Sequence, residues 1–165
     1  MNICGRGLRD HIRLLAPLFG FITVVWALRW ALDAQLNAPQ AEVSPGLVRV
    51  FSVTGATSLA VLIAVWLIHT RGFGSYPNVM VASMLLVVFG QLLIVAAIAF
   101  SVVSKIDNVF TRREFSRPDD PHHVKHILGQ LTFGIGAGIL LGTATGCLML
   151  WLLRRMVPAR TGPQT

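Results

Sequence analysis

Residues 50–68, 79–103 and 127–153 each run without a single Asp, Glu, Lys or Arg, and residues 14–32 carry only Arg29. A helix crosses the hydrocarbon core of a bilayer with about 20 apolar residues. The three uncharged runs reach that length. The first reaches it when Arg29 extends its head toward the interface. In lipid a spanning segment must satisfy its own backbone hydrogen bonds, which a helix does by itself. A transmembrane barrel would instead show strands of about ten residues with alternating polarity. The expected fold is an all-α integral membrane protein with four transmembrane helices in an antiparallel bundle, one domain over residues 1–158.

The composition agrees. The chain is 54% hydrophobic and 13% charged, against about 25% charged residues in an ordinary soluble domain. So few polar side chains do not cover a water-soluble globule. Disordered chains have the opposite bias, apolar-poor and charge-rich. Only residues 159–165 read as a disordered tail. Arg6, Arg9 and Arg13 precede the first run, as in a secretory signal. Trp26, Arg29 and Trp30 crowd the place where cleavage would occur, so the run reads as a retained helix.

The formal net charge is +7. No basic stripe interleaved with aromatics appears, so nucleic acid is not the expected partner. Basic residues beside spans contact anionic headgroups instead, and membrane lipids are expected partners. Trp26, Trp30, Trp66 and Trp151 lie near the C-terminal ends of their runs with arginines close by, an interfacial belt. The 14 Lys and Arg residues divide equally between the two sides of a four-span topology, so the positive-inside rule ties. Three arginines before the first helix and Arg154 and Arg155 after the fourth point to cytoplasmic termini. The expected location is a bacterial inner membrane.

The connections differ in character. Residues 33–49 contain Pro39, Pro45 and Gly46 and read as a loop. Residues 69–78 form a tight link, which makes the second and third helices a hairpin. In the longer connection, residues 104–126, Ile106, Val109 and Phe110 fall at i, i+3 and i+4. That spacing predicts a short helix lying on the membrane surface. Asp119, Asp120 and Pro121 read as the start of the fourth helix, Asp as cap and Pro in the first turn.

The strongest pattern is Gly134, Gly138, Gly142 and Gly146, a glycine at every fourth position, with Gly136 beside them. In lipid, glycine lets helix backbones approach closely. The occupant of such a groove is this chain's own bundle, another integral membrane subunit, or a flat pigment or lipid. The second helix offers a smaller counterpart in Gly55, Ala56, Ser58 and Ala60.

The second pattern is His122, His123 and His126. His122 and His126 share one face of a helix start, where two imidazoles suit a divalent metal. Asp119, Asp120 and Glu114 are the local candidates for a further ligand. The bland alternative is a polar rim at the interface. A haem held by two histidines across this chain is disfavoured, because His11 and His69 fall on the opposite side; a metal, haem or pigment held by the His122/His126 face remains an expectation.

Polar groups inside the spans are few: Gln91, Gln130, Thr143 and Thr145 are the intramembrane contacts of interest. No charge sits mid-membrane, which argues against a self-sufficient proton-coupled carrier. Arg29 and Asp33 are spaced to pair. Cys4 and Cys147 imply no disulfide framework, and Cys147 reads as a packing residue. No hydrolase, kinase or dinucleotide motif is present, and no catalytic residue is expected. The expected function is a non-catalytic accessory subunit of a larger membrane complex, respiratory or photosynthetic, docking through the glycine face, with bound lipid. The alternatives are a small homo-oligomeric channel or carrier, and a metal- or pigment-binding protein built on the histidines.

Overall fold

The computed structural model describes residues 2–3, 5–36, 52–105, 110–111, 120 and 123–156. The expected surface helix rests on Ile106 and Val109 and the expected tail on residues 159–165. Both lie outside the described residues, as do Cys4, Glu114, Asp119, Pro121 and His122.

Among the described residues the order is a small strand pair followed by helices. Strands β1 (Asn2–Ile3) and β2 (Arg6–Gly7) pair antiparallel, Asn2 opposite Gly7 and Ile3 opposite Arg6. Then come α1 (Leu8–Leu36), α2 (Val53–Thr70), α3 (Tyr76–Ser104), α4 (Val124–Gly129), a π-helical turn (Gln130–Gly134) and α5 (Ile135–Met156). Four stretches are long and apolar enough to cross a membrane: Leu8–Ala31, Val53–Thr70, Tyr76–Ser104 and Val124–Met156. The last joins α4, the π turn and α5 into one rod, called here the fourth span.

The helices outrun the apolar runs because hydrogen bonding continues through polar residues at headgroup depth. α1 begins ahead of its apolar run, with the Asp10 carboxylate accepting the Gly7 N–H at 2.9 Å. An anionic group at a helix start satisfies free donors and suits the helix dipole. At the start of α2, Ser52 accepts the Gly55 N–H at 3.4 Å. α2 stops at a glycine in the left-handed region, Gly72, φ 57°. There the Phe73 N–H reaches back to the Ile68 carbonyl at 3.0 Å and the Gly72 N–H to His69 at 3.3 Å. These two bonds form a Schellman stop. α3 starts with Pro77 in its first turn, where its missing N–H is no loss.

The fourth span does not begin where the Asp-Asp-Pro reading put it. His123, with left-handed φ 54°, precedes α4. Asp120 still caps, but from further back: its carboxylate accepts the His126 N–H at 3.0 Å.

The bundle is organised on α3, which packs against α1, α2 and the fourth span. Its core runs through Leu15, Ile22, Val65, Ile68, Val79, Leu86, Ile98 and Leu150, all buried. Aromatic contacts key α1 to α3 and to the turn between α2 and α3 in succession. The ring centroids of His11 and Phe73 are 5.1 Å apart, Phe19 and Phe89 4.8 Å, and Trp30 and Phe100 5.2 Å. Edge-on and tilted aromatic pairs of this kind add to the packing energy beyond area alone. α5 packs on α2 and α3, and the Ser83 hydroxyl donates to the Gly142 carbonyl at 3.3 Å. The fourth span is the least covered element: 11% of its apolar window is buried, against 50% for α2.

Candidate functional site

The glycine face is filled from within the chain. A Cβ on Gly138 would stand 2.7 Å from Val87 Cγ1, and one on Gly146 2.9 Å from Val79 Cγ1. At Gly142 the nearest atom is Val87 Cγ2 at 3.5 Å. Absence of side chains is therefore what lets α5 close on α3 and α2, as close packing in lipid requires. Gly136 points elsewhere, with nothing within 4 Å of its would-be Cβ.

Gly134, the first of the four, does something different. It ends the π turn, in which the Ile135 N–H reaches the Gln130 carbonyl five residues back. Such turns recur at functional sites, because the extra residue re-aims side chains. A Cβ on Gly134 would lie 2.9 Å from both Gln130 Oε1 and Gln91 Oε1. Two carboxamides, one from the π turn and one from α3, thus converge over a bare backbone.

Gln91 falls midway along α3 (Tyr76–Ser104), a helix long and apolar enough to cross a membrane. Its Oε1 is buried without a hydrogen-bond partner. In hydrocarbon an unsatisfied polar group costs several kcal/mol. From Gln130 the polar file continues outward. The Gln130 amide nitrogen is 3.3 Å from His126 Nε2, and Asp120 holds the His126 backbone. Asp120, His126, Gln130 and Gln91 therefore line up from the connecting segment to the middle of α3.

Two cavities flank this file. One, of about 400 Å³, is lined by Asp120, Lys125, His126, Gln130, Phe133 and Gly134 among others. The second, of about 260 Å³, lies among α2, α3 and α5, with Thr57, Ser58, Gln91 and Thr145 in its wall. Gln91 borders the second cavity, and its amide meets Gly134, which borders the first. The hydroxyls donate to their own helices: Thr57 to Val53 at 2.8 Å, Ser58 to Thr54 at 3.0 Å, Thr145 to Leu141 at 2.8 Å. This back-bonding is how a hydroxyl is tolerated in lipid, and each oxygen keeps acceptor capacity for a ligand. Thr143 lies on α5 but in the wall of neither cavity.

Of the histidines, His126 is half-buried beside the larger cavity, its Nδ1 enclosed without a hydrogen-bond partner, and His123 stands at the start of α4. His122 is outside the described residues. Among the described residues no group of three or more His, Cys, Asp or Glu is placed to hold a metal. Arg29 sets its guanidinium 5.2 Å from the centroid of Phe110. Cys147 is a half-buried free thiol packed against the core.

Two buried polar groups gave no distinctive sequence signal. His11 is fully buried in α1, with Nδ1 3.0 Å from the Gly7 carbonyl and Nε2 unpartnered. Asn78 is fully buried in the first turn of α3, with both amide atoms unpartnered. Both lie near the ends of apolar runs, where a polar residue reads as interfacial. Only the folded backbone turns them inward.

Comparison with family models, curated proteins and solved structures finds no match to this chain.

Proposed function

We propose that this chain is a small membrane channel or carrier that works as a homo-oligomer and passes a small, uncharged, hydrogen-bonding solute. The observation that carries this reading is the Gln91 carboxamide. It sits midway along α3, unsatisfied at Oε1, between a cavity lined by Asp120, His126 and Gln130 and a cavity lined by hydroxyls. Carboxamides and hydroxyls bind neutral donors and acceptors well. The absence of a charged side chain in the middle of the described spans favours a neutral solute over an ion. The second cavity is bounded by outward-facing Thr54, Ser58 and Thr145, so one copy does not enclose it, and a second copy completes the wall.

In this reading the four spans form an antiparallel bundle with both termini on the cytoplasmic side of a bacterial inner membrane. The supporting feature is the arginine-rich end, where Arg6 lies over Phe73 and Arg154 over Tyr76.

The test is stopped-flow light scattering of proteoliposomes facing a glycerol or urea gradient. Swelling faster than in empty liposomes is expected, and Gln91→Leu should bring it back to the empty rate. Equal rates for wild type, Gln91→Leu and empty vesicles would sink the reading.

One observation favours a second reading, an accessory subunit of a larger membrane complex. Phe133, Leu140 and Leu148 stand outward together on the fourth span. Gly138 and Gly146 pack against α3 and α2 of the same chain, so in this reading the outward apolar side of the fourth span would meet the partner. Native-gel separation from the original membrane, with mass spectrometry of the co-migrating chains, distinguishes the two.

A further inference from the structure

A third cavity, of about 250 Å³, lies at the other end of the bundle, lined by Arg6, Asp10, Arg13, Leu14, Arg71 and Phe73. Three separate elements supply its arginines: β2, α1 and the turn that ends α2. Its charge is not balanced from within. Asp10 is the one acid in the wall, and its Oδ2 is engaged with the Gly7 N–H at 2.9 Å. Among the described residues no ion pair neutralises Arg6, Arg13 or Arg71. Three guanidinium groups against one carboxylate leave a net charge of +2. Like charges held together repel, so a cluster of this kind is stable only with an anion or the open solvent to screen it.

The wall is also partly fixed. The Arg6 guanidinium lies 5.0 Å from the centroid of Phe73, a cation–π contact that restrains it. Phe73 is in turn held by the backbone bond to Ile68 and by the edge of His11. Arginine presents several N–H donors in a plane that matches phosphate oxygens two at a time.

We propose that this cavity binds the phosphate of an anionic phospholipid. The shared chemistry is a phosphate mono- or dianion; the surroundings favour the lipid as its source. The arginines stand where helices enter and leave the membrane, at headgroup depth. Leu8 and Ile12, exposed on the first turns of α1, offer apolar surface for acyl chains. Basic pockets between spans are a recurrent way of holding anionic headgroups. This site is independent of the Gln91 file and stands or falls without it.

The experiment is thermal melting of the purified full chain in nanodiscs of phosphatidylcholine alone and of a phosphatidylcholine–phosphatidylglycerol mixture. The anionic lipid should raise the wild-type melting temperature by about 3 °C. The triple variant Arg6→Gln/Arg13→Gln/Arg71→Gln should lose most of that rise, and Arg154→Gln/Arg155→Gln, at the same end but outside the cavity, should keep it. Inorganic phosphate added to the phosphatidylcholine discs should do nothing. If it reproduces the rise in wild type and not in the triple variant, the phosphate chemistry stands and its source is the free anion. A rise retained by the triple variant, or lost equally in the Arg154/Arg155 variant, would overturn the site, because either shows a diffuse surface-charge effect. Should the triple variant melt early in phosphatidylcholine, native mass spectrometry of Arg13→Gln decides. Retention of phosphatidylglycerol at the wild-type level then refutes the proposal, and its loss supports it.

Discussion

At Gly146 a side chain has nowhere to go. Val79 Cγ1 and Val65 Cγ2 would stand 2.9 Å and 3.3 Å from its Cβ, whereas Gly136, on the same helix, has open space. Gly146→Leu should destabilise the protein by about 3 kcal/mol through overpacking, and Gly136→Leu should change stability by less than about 0.5 kcal/mol. Unfolding in a mixed-micelle denaturant series measures both. The four-residue glycine spacing made a close approach legible in the sequence. It did not say what approaches, because the pattern is the same for a helix of this chain, a partner or a lipid. Gln91 gives the second residue-scale prediction. Its carboxamide is unsatisfied at Oε1, so Gln91→Leu should raise stability by about 1 kcal/mol while solute flux falls at least about tenfold. A variant that loses both stability and flux would mean that the amide serves packing alone. Gln91 was legible as the deepest amide in the chain. That it lies against Gly134 was not, since this depends on which faces of two helices distant in sequence meet.

At the scale of elements, hydropathy located the four spans because lipid leaves no other home for such runs. It did not locate their ends. Arg9, Asp10, His11 and Arg13 belong to α1, since a helix continues at headgroup depth wherever its backbone bonds continue. The π turn was invisible for a different reason. A step of four or of five residues leaves the same pattern of apolar side chains, and the choice is made by what Gln130–Gly134 packs against. The turn makes a specific prediction. Deleting Leu131, an outward residue within it, removes the extra residue and should restore a plain α-helix. The parts before and after the turn keep their relative rotation, because the π turn already confines the extra residue to one turn. The side chains inside the turn are re-aimed, so Gln130 and Gly134 no longer converge on Gln91, while the glycine contacts of α5 stay as they are. Circular dichroism and melting should change little, and flux should be lost. A deletion that preserves flux would remove the π turn from the mechanism.

For the whole molecule the question is what completes it. α2 and α3 bury their faces in one another and in their neighbours, but the fourth span buries little. Large apolar residues facing lipid explain most of that exposure, since lipid is as apolar as leucine. They do not explain Thr54, Ser58 and Thr145, which are exposed together beside the second cavity. Hydroxyls gathered on one outward groove gain more from another polar surface, or from water held by one, than from acyl chains. A second copy placing its own groove opposite would bury both. Native mass spectrometry from a mild detergent should therefore find a multiple of the 18.0 kDa chain. Thr145→Leu, which keeps the helix and removes the hydroxyl, should shift that population toward the monomer. A monomer that transports solute as well as wild type would refute the oligomeric part of the proposal and leave the Gln91 path within a single bundle. A heteromeric band would instead identify the surface that the outward groove meets and make this chain part of that assembly.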